Sequence, residues 1–306
     1  MSIVTFPTGP AQAEAQAILT IDLGALAENW RLLSARVAPS ECGAVVKADA
    51  YGTGIEAAVP ALAKAGCKTF FVAHASEGVR VRKVAPDATI YVLNGLLAET
   101  IPTLIEYELR PVLGSMENVM AWHNVPGMRA CALHVDTGMN RLGVAPHDVG
   151  AALSKNIAVD LLMTHFVSSE EASDATNDIQ IARFSAIRAQ APHARTSLAN
   201  SSALFLPQKP YGDLVRPGYA LYGGNPTPNE KNPMRPVVTL EAPILQIRTI
   251  EGGDKVGYNA QWTAKRRTRL ATIGIGYADG LPRAAMATDM RCLLYTSPSP
   301  RDLSTS

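Results

Sequence analysis

Cysteine, aromatic residues and net charge are all scarce in this chain, and each shortage excludes a class of protein. Four cysteines in 306 residues (Cys42, Cys67, Cys131 and Cys292) are scattered, three of them in or beside apolar runs. That pattern predicts buried reduced thiols rather than a disulfide framework. Lysines and arginines (28) nearly balance aspartates and glutamates (27), for a net charge of +1. The one compact basic run, Lys265-Arg266-Arg267, reads as a solvated turn between strands, so no nucleic-acid partner is expected. No stretch reaches the ~20 apolar residues of a membrane-spanning helix, and residues 1–16 lack the basic and apolar regions of a secretory signal. A cytoplasmic, non-membrane protein is the expectation. The six histidines lack close pairing and no Cys-x-x-Cys occurs, so no metal site is expected. What the chain does have is 47% hydrophobic against 18% charged residues, the balance of a well-cored globular protein.

From about residue 40 to 216, short apolar runs alternate with helix-like stretches. The runs are Cys42–Val46, Thr69–Ala73, Thr89–Leu93, Arg110–Leu113, Ala130–Val135, Asp160–His165, Thr196–Ala199 and Asp213–Val215. Segments such as Glu56–Ala65 and Asp178–Gln190 between them carry helical apolar spacing. Eight such strands with helical crossovers predict an α/β fold, a parallel (β/α)8 TIM-type barrel, with a doubly wound open sheet as the alternative. Asn225-Pro226-Thr227-Pro228-Asn229 reads as a linker. Beyond it, Val237–Glu251 and Arg269–Gly276 alternate like half-buried strands, with Gly252-Gly253-Asp254 as a hairpin signal between them. The expected organisation is therefore a loose lead-in (1–16), a barrel (17–234) and an incomplete all-β domain (235–294). The Ser/Pro-rich residues 295–306 read as a disordered or non-native tail.

In Ala44-Val45-Val46-Lys47-Ala48-Asp49-Ala50-Tyr51-Gly52 an apolar strand ends in a lysine. At the C-terminal edge of a barrel strand, that amine points to where active sites are built. Desolvation and nearby cations there suit Schiff-base chemistry. A lysine stretching from a strand end into solvent is the plainer alternative. Further along stand His134-Val135-Asp136-Thr137-Gly138-Met139-Asn140-Arg141-Leu142-Gly143, Thr164-His165-Phe166, Leu198-Ala199-Asn200-Ser201-Ser202-Ala203, Val215-Arg216-Pro217-Gly218, Val256-Gly257-Tyr258 and Gly276-Tyr277-Ala278-Asp279-Gly280. Taken singly, Arg216 could be a surface residue before a turn, His165 a core histidine, Tyr258 an exposed hairpin aromatic. Asn200–Ala203 also reads as a helix N-cap.

Together, in this order, the segments resemble the motifs of the bacterial alanine racemases over roughly residues 17–292. The resemblance implies a pyridoxal 5'-phosphate (PLP) enzyme that interconverts L- and D-alanine by two-base proton transfer, supplying D-alanine for cell-wall peptidoglycan. It implies Lys47 as the cofactor-bearing base and Tyr258 as the opposing one. It places Tyr51, Ser201, Gly218 and Tyr219 on the phosphate, and Asn200, His165, Arg141 and Arg216 around the cofactor. Arg141 and Tyr277 would meet the substrate. A homodimer with shared active sites is also implied. An arginine at position 216 cannot readily give up its proton, which suits racemisation over decarboxylation or transamination. Two departures stand out. Many relatives carry a lysine, often carbamylated, where His134 stands, so no carbamate is expected. The family also continues past the end of the pattern, which implies a C-terminally incomplete chain whose own activity is open. Alternatives are a broad-specificity amino-acid racemase and a non-catalytic PLP-binding carrier protein.

Overall fold

The computed structural model describes residues 14–260 and 262–280. The sequence readings on residues 1–13, Cys292 and residues 295–306 lie outside these. The described residues fall into two compact units, 20–239 and 14–19 with 240–280. The division runs through β1 (Ile18–Ile21) at one end and through β11 (Val238–Glu241) at the other.

Strand after strand in the first unit is buried on both faces, as parallel strands covered by helices must be. β3 (Ala44–Val45), β4 (Thr69–Val72), β5 (Thr89–Val92), β6 (Arg110–Leu113), β7 (Ala130–His134), β8 (Ala158–Met163) and β9 (Arg195–Ser197) form one parallel sheet in chain order. β2 (Glu41–Cys42) precedes β3 with only Gly43 between, and it pairs in parallel with β10 (Leu214–Val215). β10 in turn follows β9 through Asp213 N–H to Thr196 O (2.8 Å) and Arg216 N–H to Ala199 O (2.9 Å). The ends thus meet, and the eight staves expected from the sequence close into a ring.

Alternation inside the ring separates two cores. Val45, Phe71, Tyr91, Val112, Ala132, Leu161, Met163 and Leu214 point inward as one cluster. Their neighbours Ala44, Phe70, Ile90, Leu113, Leu133, Leu162 and Val215 point out to the helices. Those helices are α3 (Ile55–Ala65), α4 (Ala75–Val84), α5 (Ile101–Glu106), α6 (Met116–His123), α7 (Val149–Leu153) and α8 (Thr176–Arg188). After β9 and β10 only short 3-10 turns follow, Ser202–Phe205 and Tyr219–Tyr222. α1 (Leu23–Val37), which precedes the first stave, packs there instead. Its Asn29 side chain donates to Leu221 O (3.0 Å) and Arg235 O (2.9 Å) and accepts from Arg235 N–H (2.8 Å). Asp22 caps α1 by accepting from Ala25 N–H at 2.9 Å. Leu26, Trp30, Leu33 and Val37, at helical spacing, form its buried stripe. No described helix is long and apolar enough to cross a membrane. Cys42, Cys67 and Cys131 are buried free thiols, each with its pKa pushed up by burial.

The second unit differs in detail from the expected pair of long strands. Ala242-Pro243 interrupts the first, because proline cannot donate to a ladder, leaving β12 (Ile244–Ile250) to pair antiparallel with β15 (Thr268–Ile273). The Gly252-Gly253 turn leads not into β15 but into β13 (Lys255–Val256), which pairs antiparallel with β14 (Trp262–Thr263). Lys265–Arg267 forms the exposed bend before β15, as expected.

Candidate functional site

The C-terminal ends of the staves gather side chains that are far apart in sequence. Lys47 follows β3, His134 ends β7, His165 lies just past β8, Asn200 past β9 and Arg216 directly after β10. A cavity of about 530 Å³ opens at this mouth, lined by Lys47, Tyr51, His134, Arg141, His165 and Arg216. Asn200, Ser201, Gly218 and Tyr219 complete the set picked from sequence in the first unit. Tyr258 and Tyr277 belong to the second unit, where each opens a 3-10 turn; their side chains lie outside the described residues.

The segment after Lys47 has an unusual path. α2 (Lys47–Tyr51) is a left-handed turn: Ala48, Asp49, Ala50 and Tyr51 all have φ between 52° and 55°. Left-handed geometry costs an L-residue roughly 1–2 kcal/mol, so four in a row cost roughly 4–8 kcal/mol. Its effect is to turn the chain sharply enough that Lys47 and Tyr51 face one cavity from a single five-residue segment.

Tyr51 marks an anion cradle. Its ring stacks on Tyr222 at 4.6 Å between centroids, and Tyr222 donates its hydroxyl to Val45 O (3.2 Å). The Tyr51 hydroxyl lies so close to Gly218 that a Cβ there would meet it at 2.3 Å. Only glycine leaves room. The buried Ser201 Oγ accepts from Gly218 N–H (2.9 Å) and Ala220 N–H (3.3 Å), holding the Gly218–Ala220 backbone. The sequence reading of a cap at 200–203 finds its residue in Asn200: its Oδ1 accepts from Ala203 N–H (3.0 Å) and from Ser169 Oγ (2.8 Å). The two short turns start at the cradle, where the first amides of a helical turn have no partner within it. Hydroxyls, backbone amides and a spot too tight for a Cβ fit a phosphate monoester.

Arg216 is buried, not a surface residue. Its guanidinium donates to Ser197 Oγ (2.5 Å), Thr164 O (2.6 Å) and Leu198 O (3.4 Å), and Nη2 lies 3.4 Å from His165 Nδ1. All these partners are neutral, and burial brings its pKa down to about 9. The cation therefore projects into the cavity largely uncompensated. Its neighbours show the field: His165 is pushed down to about 3 by burial and then by Arg216, and His134 to about 4 by the same two causes in that order. Both histidines are neutral above pH 5. A group that accepts a hydrogen bond from this guanidinium will resist protonation.

His134 is buried beside the Arg141 loop. That loop is shaped by Asp136, whose Oδ1 accepts from the amides of Gly138 (2.8 Å) and Met139 (2.9 Å), and Oδ2 from Asn140 (2.9 Å). Gln180, buried on α8, ties the loop to the next stave. It donates to Thr137 Oγ1 (3.0 Å) and His165 O (2.9 Å) and accepts from Val167 N–H (2.9 Å). Asp136 lies within the His134–Gly143 motif, but nothing in the sequence alone marks its role. Gln180 had no signal beyond being a polar residue on a helix.

The closed ring, with a lysine and an anion cradle at the C-terminal mouth of its strands, defines the class: a (β/α)8-barrel enzyme. Residues 21–226 match the family model "Alanine racemase, N-terminal domain", and residues 237–297 match "Alanine racemase, C-terminal domain". An alanine racemase of Methylobacterium sp. (strain 4-46) is 52% identical over 87% of this chain and 75% of its own length. A protein of Mesorhizobium japonicum named "Alanine racemase, catabolic" is 44% identical over 90% of this chain and 76% of its own. The crystal structure of alanine racemase from Bartonella henselae, with covalently bound pyridoxal phosphate, superimposes with a TM-score of 0.81. It is 38% identical and matches 88% of this chain and 78% of that one. The chain belongs to the alanine racemase family.

Proposed function

We propose that this protein interconverts L- and D-alanine with PLP carried on Lys47. The observation that carries the reading is the buried Arg216, a cation with only neutral partners, on the same mouth as the amine and the anion cradle. When bound, the cofactor stabilises the electron pair left at the substrate Cα. The chain's own groups do the rest. Tyr51, Ser201, Gly218 and Tyr219 would hold the phosphate end, and Arg216, which does not readily give up its proton, would donate to a ring nitrogen that accepts and so leave it unprotonated. A weaker electron sink favours prompt return of the proton over loss of carbon dioxide. Lys47 Nζ takes or returns the proton on one face of Cα. Tyr258 of the partner subunit serves the other, so each site needs two chains in a C2 homodimer. A phenol, with ordinary pKa ~10, acts as a base only beside cations, and the cavity of the first unit carries two, Arg141 and Arg216. Arg141 also receives the substrate carboxylate, and the family resemblance assigns Tyr277 to the substrate as well. His165 braces Arg216, and Asn200 fixes the loop next to it.

The same reading makes the protein cytoplasmic and its product D-alanine for peptidoglycan. Relatives named catabolic favour a second use, drawing D-alanine into breakdown; the reaction is the same in either direction. Paired strands in the second unit argue against a bare-barrel PLP carrier. The test is loss of optical rotation from L-alanine without release of carbon dioxide, by a chain that borohydride labels with PLP. The Lys47→Ala chain should show neither. Stable rotation with normal labelling would favour the carrier. Mixing Lys47→Ala with Tyr258→Phe chains should restore activity in about one of the heterodimer's two sites; no recovery refutes the shared site.

A further inference from the structure

The left-handed turn Ala48–Tyr51 contains no glycine, although every one of its residues sits where side chains are disfavoured. Something outside the turn must hold it, and the two charged side chains that reach it come from one face of α4. Glu77 Oε1 accepts the Asp49 N–H at 3.1 Å, while its Oε2 accepts the amides of Ala73 (2.8 Å) and His74 (3.2 Å). One carboxylate thereby joins the turn after β3 to the end of the next stave. Three residues on, Arg80 Nη2 donates to Asp49 Oδ1 (2.7 Å), and the same guanidinium grips Glu56 on α3 (2.7 Å from Nε). Asp49 Oδ1 also accepts from Ile55 N–H (3.0 Å), and Thr53 Oγ1 donates to Ala50 O (2.6 Å). The Arg80 pairs are well exposed, so their separate contribution is small. Glu77, accepting three backbone amides, carries the greater share.

We propose that Glu77, aided by Arg80, is a positioning residue for cofactor capture: α4 clamps the left-handed turn so that the Lys47 amine and the Tyr51 hydroxyl reach the cavity together. Neither residue lines that cavity. They act through backbone geometry, and releasing them lets the turn relax toward right-handed conformations that separate the amine from the cradle. The inference rests on Lys47 bearing PLP.

Glu77→Gln tests it, since the amide keeps the side chain's shape but can no longer accept on both sides. The wild-type and variant chains, stripped of cofactor, are titrated with PLP, trapped with borohydride and compared by far-ultraviolet circular dichroism and melting. The expected result is an apparent PLP Kd raised about tenfold with an unchanged spectrum, and slower borohydride-trapped labelling of Lys47. Adding Ala48→Gly, an exposed position where glycine removes the left-handed penalty, should recover most of that loss. Arg80→Met, read the same way, gives a smaller shift of the same sign and substitutes if Glu77→Gln does not fold. A lowered melting temperature with wild-type PLP affinity would overturn the proposal, because it would mean Glu77 only caps α4. So would a loss that Ala48→Gly leaves untouched. Failure of the wild-type chain to take up PLP would instead overturn the cofactor reading.

Discussion

Gly218→Ala probes the anion cradle at its tightest point. The new methyl would stand 2.3 Å from the Tyr51 hydroxyl, which must retreat by roughly 1 Å to reach ordinary contact. Stacking on Tyr222 limits that retreat to a tilt of the ring. A hydroxyl moved so far loses its hydrogen bond to a phosphate oxygen, since these bonds weaken steeply outside a narrow range. A bond to a charged group is worth about 1.5–3 kcal/mol, so PLP affinity should fall roughly ten- to a hundredfold. The assay is titration of the stripped protein with PLP by absorbance, run as a double-mutant cycle with Tyr51→Phe. That second change removes the same hydroxyl and leaves the ring carbon at 3.2 Å from the added methyl. The double variant should therefore bind PLP about as weakly as either single one. Fully additive losses, or wild-type affinity in Gly218→Ala, would refute the placement of phosphate between Tyr51 and Gly218.

Other outcomes follow from the same geometry. Ser201→Ala strips the acceptor from two backbone amides, those of Gly218 and Ala220, and should destabilise the stripped protein by about 1–3 kcal/mol, read as a lower melting temperature. His134 and His165, at about 4 and 3, bind protons more weakly folded than unfolded. Their contribution is complete above the unfolded value near 6.5 and is lost as pH falls toward 3. Stability of the stripped protein should fall by at most about 2.7 kcal/mol per pH unit in that window, and a flat denaturant midpoint between pH 6.5 and 4 would contradict the buried placement. Arg216→Gln should let the His165 resonance titrate at higher pH, because one of the causes holding it down is gone.

The ring was legible because its staves are apolar runs spaced by helical stretches, a signal that survives without any knowledge of contacts. Lys47, Arg216 and Ser201 were legible through motifs at family spacing, and the structure brings them to one mouth. What the sequence withheld was conformational. Nothing in Ala48-Asp49-Ala50-Tyr51 announces four left-handed residues, since glycine, the usual marker, is missing. Asn200 rather than Ser201 supplies the capping side chain, because both side chains suit that task and the neighbouring Gly218 backbone engages Ser201 instead. Gln180 and Glu77 act on backbone groups many residues away, and pairings of that kind leave no local pattern.

The seam between β2–β3 and β10 has a consequence for how the protein comes to life. Gly43 sits there with Thr69 O and Val215 O about as near as a Cβ could tolerate, at 3.1 and 3.2 Å. Staves more than 170 residues apart in the chain are zipped by Glu41 N–H to Asp213 O, Gly43 N–H to Val215 O and Val45 N–H to Pro217 O. Such distant pairing comes late and slowly in folding. Lys47 rides on the first stave and Arg216 on the last, so the nascent chain has no pocket to load until the circle is joined. Vitamin capture would then act as a latch on a finished barrel, raising its resistance to unfolding in proportion to the logarithm of cofactor supply.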